Sequence, residues 1–333
     1  MASNRKSITL SLAISIITIL VIFKLTETNV TWQMISQVDW KFLILALFLH
    51  FLFWFFWGVR LKTLASLLNT NISLKFAVEV SIASMFLAAI TPSSAGGEPL
   101  RIKMLKDYGT SLGSATAIVL AERILDAIFF VVALFIFLII SGFAIGFGIK
   151  VGLIFTFSLA GFISFLYVIV KDKDKEKVEK IANWIYKVIS RINKNKAKNI
   201  AEKIKKELHT FRNSVIEIAK NNKRILPIIL LTTLIWLSEF LIPSVILIAL
   251  NQDPFYLLSI TSQLILVILS LIPLTPGSSG IAEAGMGYLY SNFISHHVLG
   301  VLVTLWRLIT YYSNILAGLI AIKVVKSSIN NKF

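Results

Sequence analysis

The chain has 333 residues, 56% of them hydrophobic, with a mean hydropathy of +0.81 and a formal net charge of +16. This composition excludes a pair of soluble domains and indicates one polytopic membrane domain over residues 1–333. Cysteine is absent, so disulfides, thiolate metal sites and cysteine nucleophiles are excluded; His50, His209, His296 and His297 lack metal-ligand spacing, and no cofactor is expected.

Residues 7–23, preceded by Arg5 and Lys6, have no small-residue cleavage site and read as a first span rather than a removable signal. A polar stretch with interfacial Trp32 and Trp40 leads to a densely aromatic second span, 41–61, closed by Arg60 and Lys62. Residues 74–90 form a third. Then Thr91-Pro-Ser-Ser-Ala-Gly-Gly-Glu-Pro99 interrupts the apolar pattern, because proline lacks an amide donor and glycine tolerates conformations that a helix excludes. A short helix, 98–108, carries Arg101, Lys103 and Lys106. The fourth span, 114–141, holds Glu122, Arg123 and Asp126 in its first half, and the fifth is 148–170.

Residues 171–224 carry 17 Lys and Arg against 7 Asp and Glu. A basic block between spans sets topology and meets anionic headgroups, so nucleic acid is not the expected partner. Two helical stripes fit it, one over 178–192 and one through Ile200, Ile204, Leu208, Phe211, Val215 and Ile218. A self-packed hairpin and a lipid-facing interfacial element both remain open. The sixth span, 225–250, carries Glu239; the seventh, 254–274, runs into a second break, Thr275-Pro-Gly-Ser-Ser-Gly-Ile-Ala-Glu283. A short helix, 282–293, and an eighth span, 298–324, follow.

The second break repeats the first at an offset of 184 positions, and the arginines keep step: Arg123 follows Thr91 by 32 residues, and Arg307 follows Thr275 by 32. A broken helix followed by a buried arginine, occurring twice, is the footprint of a repeat-built transporter, with repeat one at about 40–141 and repeat two at about 224–325. Eight simple crossings would place the basic block outside. If each break is a re-entrant turn, all the basic segments and both termini fall in the cytoplasm, and the repeats run in opposite orientations. The expected fold is thus all-α, with about eight transmembrane helices and two re-entrant helices in an inverted-topology repeat, in the cell membrane.

A charge at membrane depth costs about 2.5–3.5 kcal/mol on insertion scales, so each needs a partner or a pathway. Arg123 and Asp126 share a helix face, which allows internal neutralisation. The functional alternative is that Arg123 and Arg307 hold an anionic group, since guanidinium forks suit phosphate. Helix N-termini beginning near Gly96, Gly97 and Gly280 would aim amides at the same group. Glu98 and Glu283 follow their breaks one residue out of register and are expected to cap those helices or to bind the arginines. Glu239 and Glu79 are candidates for a proton or cation relay. With Arg101, Glu122 and Asp126, these residues apart from Glu79, which aligns with Gln263 in the other repeat, form the candidate substrate site.

Three motifs, Pro-x-x-x-Gly-Gly-Glu-x-x-Arg at 92–101, Glu122-Arg123-x-x-Asp126, and Pro276-Gly277-x-x-Gly280-x-x-Glu283, resemble the membrane region of the lysylphosphatidylglycerol synthase family. Ser278-Ser279 departs from glycines common there. The resemblance implies flipping of an aminoacylated anionic lipid, made in that family by a soluble synthase domain that the chain, ending soon after its last span, is expected to lack. The expected function is movement of an anionic or phosphate-bearing lipid between leaflets. No phosphate-binding Gly-x-x-x-x-Gly-Lys loop is present, so ATP-driven flipping by this chain alone is not expected. Two rivals stand beside it: an intramembrane transferase using Glu98 or Glu283 as base, and an accessory subunit bound to a lipid-modifying enzyme. Membrane lipids are the expected partners, with homo-oligomers also open.

Overall fold

The computed structural model describes residues 2–91, 95–170, 194–221, 224–272 and 274–330, and their regular structure is helical throughout. The first half comprises α1 (Ala2–Thr26), α2 (Asn29–Ser36), α3 (Trp40–Leu67), α4 (Leu74–Ile90), α5 (Gly97–Asp107), α6 (Leu112–Ser141) and α7 (Ile145–Val170). The second comprises α8 (Lys194–Lys220), α9 (Ile225–Phe240), α10 (Ile242–Ala249), α11 (Tyr256–Ser270), α12 (Ile281–Tyr290), α13 (His296–Arg307), a π-helical turn (Leu308–Tyr312) and α14 (Ser313–Asn330).

Polar caps set the starts. Asp39, Ser73 and Ser111 each accept a hydrogen bond from the first turn of α3, α4 and α6, satisfying amides that have no partner inside the helix. Five runs among the described residues are long and apolar enough to cross a membrane: α3, α6, α7, α9 with α10, and α13 through α14. A sixth follows if α1 and α2, bent by 111°, count as one span. The expected third and seventh spans are the shortfall from eight. At 17 and 15 residues, α4 and α11 reach only about 25 and 22 Å, against a hydrocarbon core of about 30 Å.

The 184-residue offset governs the elements as well as the motifs. Shifted by it, the starts of α5 and α6 land on those of α12 and α13, and the starts of α3 and α4 fall within two residues of those of α9 and α11. The halves also exchange packing partners: α4 packs on α14, α11 packs on α6, and α3 packs on α9 and α10. The breaks meet each other, with Gly277 N–H donating to Thr91 O at 2.9 Å and the Tyr311 hydroxyl donating to Ala89 O at 3.0 Å.

Helix α7 is peripheral, with Ile154, Phe157 and Phe165 exposed as on a lipid-facing surface. The stripe expected over 178–192 lies outside the described residues. The second stripe belongs to α8, which docks on α6: Glu207 Oε2 accepts from Gly113 N–H at 2.7 Å, and Ser214 Oγ meets Ser114 Oγ at 3.1 Å. A Cβ on Gly113 would lie 2.4 Å from Glu207 O, so glycine permits this close approach. The stripe thus has a partner in the bundle.

Candidate functional site

Helical spacing gathers charges from three elements. On α3, Trp57 and Arg60 are one turn apart; on α5, Glu98 and Arg101 are; on α6, Glu122, Arg123 and Asp126 share a face. Arg60 is fully buried and grips Asp126 with both terminal nitrogens, Nη1 to Oδ1 at 2.6 Å and Nη2 to Oδ2 at 3.3 Å. Its Nη1 also donates to Thr232 Oγ1, and its Nε lies 3.5 Å from Glu122 Oε1. Arg101, also buried, donates to Glu122 Oε2 at 2.7 Å and to Ser84 Oγ at 3.0 Å. Trp236 Nε1 donates to Asp126 Oδ1 at 2.8 Å. Arg123 lies 3.1 Å from Glu98 Oε1 and 3.6 Å from Asp126 Oδ2. All three guanidinium carbons sit 4.8–5.8 Å from the Trp57 ring centroid, where the negative π face attracts cations.

Three cations face three anions, which offsets much of the cost of placing charge at this depth. Exposure separates the members. Arg123 and Glu98 keep 34% and 27% of their side-chain surface, whereas Arg60, Arg101, Glu122 and Asp126 keep 3% or less. Arg123 opens on a groove of about 210 Å³, lined also by Asp126 and Phe130 of α6, Phe155 and Phe162 of α7, and Leu271.

The second half holds one corresponding pair. Arg307 Nη2 lies 2.9 Å from Glu283 Oε2, and both residues are buried. Glu283 also accepts from Gly280 N–H at 2.6 Å and from Ser15 Oγ at 2.6 Å, with the Tyr312 hydroxyl donating on to Ser15. It therefore does both things expected of it, capping and binding arginine. The register difference explains why Glu98 does only one. Glu283 is the third residue of α12, from which a side chain reaches back to the cap, whereas Glu98 is the second of α5. Arg307 faces a different, central cavity of about 220 Å³, shared with Glu239, Gln263, Ser270, Ser278 and Thr310. Trp236 separates the two sites, lining this cavity while donating to Asp126.

The N-terminal amides expected to meet a ligand are partly committed within the protein: Gly96 N–H donates to Thr91 Oγ1 at 2.8 Å, and Gly280 N–H donates to Glu283. Gly97 serves packing, since a Cβ there would lie 3.1 Å from Ser84 O.

Residues 8–318 match the family described as the Lysylphosphatidylglycerol synthase TM region. The chain belongs to that family. A UPF0104 membrane protein of Archaeoglobus fulgidus is 47% identical to this chain over 325 residues, covering 97% of this chain and 98% of its own. UPF0104 membrane proteins of Methanocaldococcus jannaschii and Methanothermobacter thermautotrophicus are 27% and 26% identical, over 97% and 90% of this chain and 96% and 89% of theirs. In this member of the synthase TM-region family, the motif residues Arg101, Glu122 and Asp126 build the buried cluster, and Glu98 and Arg123 form its exposed edge.

Two findings depart from the sequence reading, and a third adds partners to residues it named. Asp126 does contact Arg123, but its main partner is Arg60, and Arg60 and Arg101, which the charge count assigns to the cytoplasm, are buried and have no weight in that count. The structure also brings each predicted arginine to a carboxylate of its own half, in separate cavities. Glu239 is paired with His50 at 2.8 Å, while Glu79 meets Ser328 and Lys75. The reading missed His50, Trp57, Arg60, Ser84, Trp236 and Asn314. Arg60 had a detectable signal, an arginine one turn after a tryptophan in an aromatic helix; the others look like ordinary span residues. Among the described residues, no group of three or more His, Cys, Asp or Glu is placed to hold a metal.

Proposed function

We propose that this chain moves an anionic or phosphate-bearing lipid between the leaflets of the cell membrane, with both termini in the cytoplasm. The observation that carries the reading is the Arg123–Glu98 pair, about one-third exposed at the edge of an otherwise buried cluster, with Arg123 lining an apolar groove between two candidate spans. A headgroup phosphate would exchange Glu98 for itself on Arg123 while its chains stay against Phe155 and Phe162. Arg307, in its own cavity with buried donors unmatched by hydrogen bonds at Nε and at Trp306 Nε1, is the second station. In this reading α4–α5 and α11–α12 are re-entrant hairpins entering from opposite sides, which fits two short helices that turn back at touching breaks. The transferase rival gains less support, because Glu98 and Glu283 are both held by arginines and are poorly placed to act as free bases.

The test is translocation of fluorescently labelled phosphatidylglycerol in proteoliposomes of the full chain. Arg123→Ala should slow it about ten- to a hundredfold, the equivalent of losing one charge-assisted hydrogen bond of about 1.5–3 kcal/mol; Arg307→Ala, combined with Glu283→Gln so that no buried charge is stranded, should slow it as much. Lysine at either position should restore part of the rate, since charge returns without the fork. Unchanged rates in folded alanine variants would sink the proposal.

A further inference from the structure

His50 lies within α3, almost fully buried, and its two ring nitrogens meet different groups. Nδ1 is 2.8 Å from Glu239 Oε2 on α9, and Nε2 is 3.3 Å from Asn314 Oδ1 on α14. Asn314 is held in one orientation. Trp54 Nε1, which can only donate, lies 2.8 Å from its Oδ1, and its Nδ2 donates to Thr310 O. Turning the amide over would set donor against donor at Trp54 and acceptor against acceptor at Thr310.

Asn314 Oδ1 therefore accepts, and the ring nitrogen facing it must carry hydrogen. With hydrogen on Nε2, two arrangements satisfy the short contact at Nδ1. Either His50 is neutral and a protonated Glu239 donates to Nδ1, or His50 is an imidazolium and donates to a carboxylate. Both hold one proton between Nδ1 and Oε2. Without it, neutral His50 must move its only N–H to Nδ1 to meet the carboxylate, and the Nε2 lone pair then opposes Asn314 Oδ1.

We propose that His50 and Glu239 form a proton-binding site in the wall of the central cavity, and that loading and emptying this site drives the lipid movement. The coupling rests on the translocation reading; the site does not. Glu239 lines the cavity and keeps 16% of its side-chain surface, against 2% for His50, so the proton exchanges through Glu239. The other titratable groups among the cavity's described lining residues are Arg307 of α13, held by Glu283 of α12, and Tyr311 of the π-helical turn; α4 and α11 contribute none. On α3 itself His50 packs against the rings of Phe53 and Trp54.

The site is linked to the Arg307 station through the backbone. Asn314 is the second residue after the π-helical turn, and that turn begins directly after Arg307 and contains Tyr311, which holds the end of α4 at Ala89. Losing the proton breaks the His50–Asn314 link and leaves Trp54 alone to hold Asn314 on α3, which loosens this segment; regaining it restores the second link.

The experiment is nitrogen-15 NMR of the full chain, labelled at histidine, in lipid bilayers, with the His50 signal identified by its loss in His50→Gln. At neutral pH, Nε2 of His50 should be protonated; in alkali its hydrogen should move to Nδ1. In Glu239→Gln, whose amide also donates to Nδ1, that shift should be lost, with Nε2 protonated throughout. An unprotonated Nε2 at neutral pH, or an alkaline shift unchanged by Glu239→Gln, would overturn the site. In proteoliposomes, an imposed pH gradient should bias net movement of labelled phosphatidylglycerol by wild type, and the bias should vanish in Glu239→Gln. Transport indifferent to the gradient overturns the coupling alone. No transport at all, beside a protonated Nε2, overturns the translocation reading and the coupling with it, and leaves the site standing.

Discussion

Arg60 and Arg123 both reach Asp126, yet burial gives them different roles. Arg60 is inaccessible, bidentate on Asp126, and holds Thr232 as well. Removing one member of a buried pair leaves the other charge desolvated and unmatched, at about 3–5 kcal/mol. Arg60→Ala should therefore be lost from the membrane or melt early in detergent. Arg123→Ala should melt close to wild type, because Asp126 keeps Arg60 and Trp236 and Glu98 is already partly exposed. Equal melting temperatures for the two variants would contradict this division. The motifs did lead to Glu98, Arg101, Glu122, Arg123 and Asp126, because charges in apolar runs stand out without any structure. They did not single out Arg60 despite its place one turn after Trp57, since an arginine near the end of a predicted span reads equally well as a cytoplasmic anchor. Only packing shows that α3 continues to Leu67 and carries Arg60 into the bundle.

At the scale of elements, the two breaks act as one joint. Gly277 has φ of +58°, and a Cβ there would lie 2.0 Å from Ala89 O, a backbone atom that cannot move aside alone. Gly142, which ends α6, has φ of +63° but open space around it. Alanine in the left-handed region costs about 1–2 kcal/mol at either position, so the comparison isolates the contact between breaks. Gly142→Ala should lower the melting temperature slightly, and Gly277→Ala much more; parity would mean that the joint yields freely. The sequence pattern placed α4, α5, α6 and α7 to within three residues at their starts, because proline, glycine and serine caps act locally. It overcounted the spans because hydropathy registers apolar runs, whereas crossing requires length, and α4 and α11 are cut short by Thr91 and by the turn after Ser270. The docking of α8 was also out of reach, since an amphipathic stripe shows that a face is buried without showing against what.

For the whole molecule, the decisive quantity is orientation, and the burial of Arg60 and Arg101 removes two charges from the count that set it. What remains is Arg5, Lys6, Lys62, Lys103, Lys106, the basic segment containing α8 and the lysines of α14, against Ser295 and the start of α13, with His296 and His297 and no lysine. These still favour one arrangement, because cytoplasmic loops retain Lys and Arg during insertion. The packing agrees with it: α8 docks at the N-terminal end of α6, so α8 and the start of α6 lie on the same side. At an offset of 184 residues, the start of α6 corresponds to the start of α13. In an inverted repeat those two starts lie on opposite faces; in a parallel repeat they share one. Single cysteines at the exposed positions Lys203 on α8, Ser327 on α14 and Ser295 before α13 separate the two cases. An impermeant thiol reagent added outside intact cells should label Ser295→Cys and spare Lys203→Cys and Ser327→Cys, with all three reacting once the membrane is permeabilised. Labelling of Lys203→Cys and Ser295→Cys from the same side would leave the repeats parallel and remove the opposed hairpins from the translocation scheme.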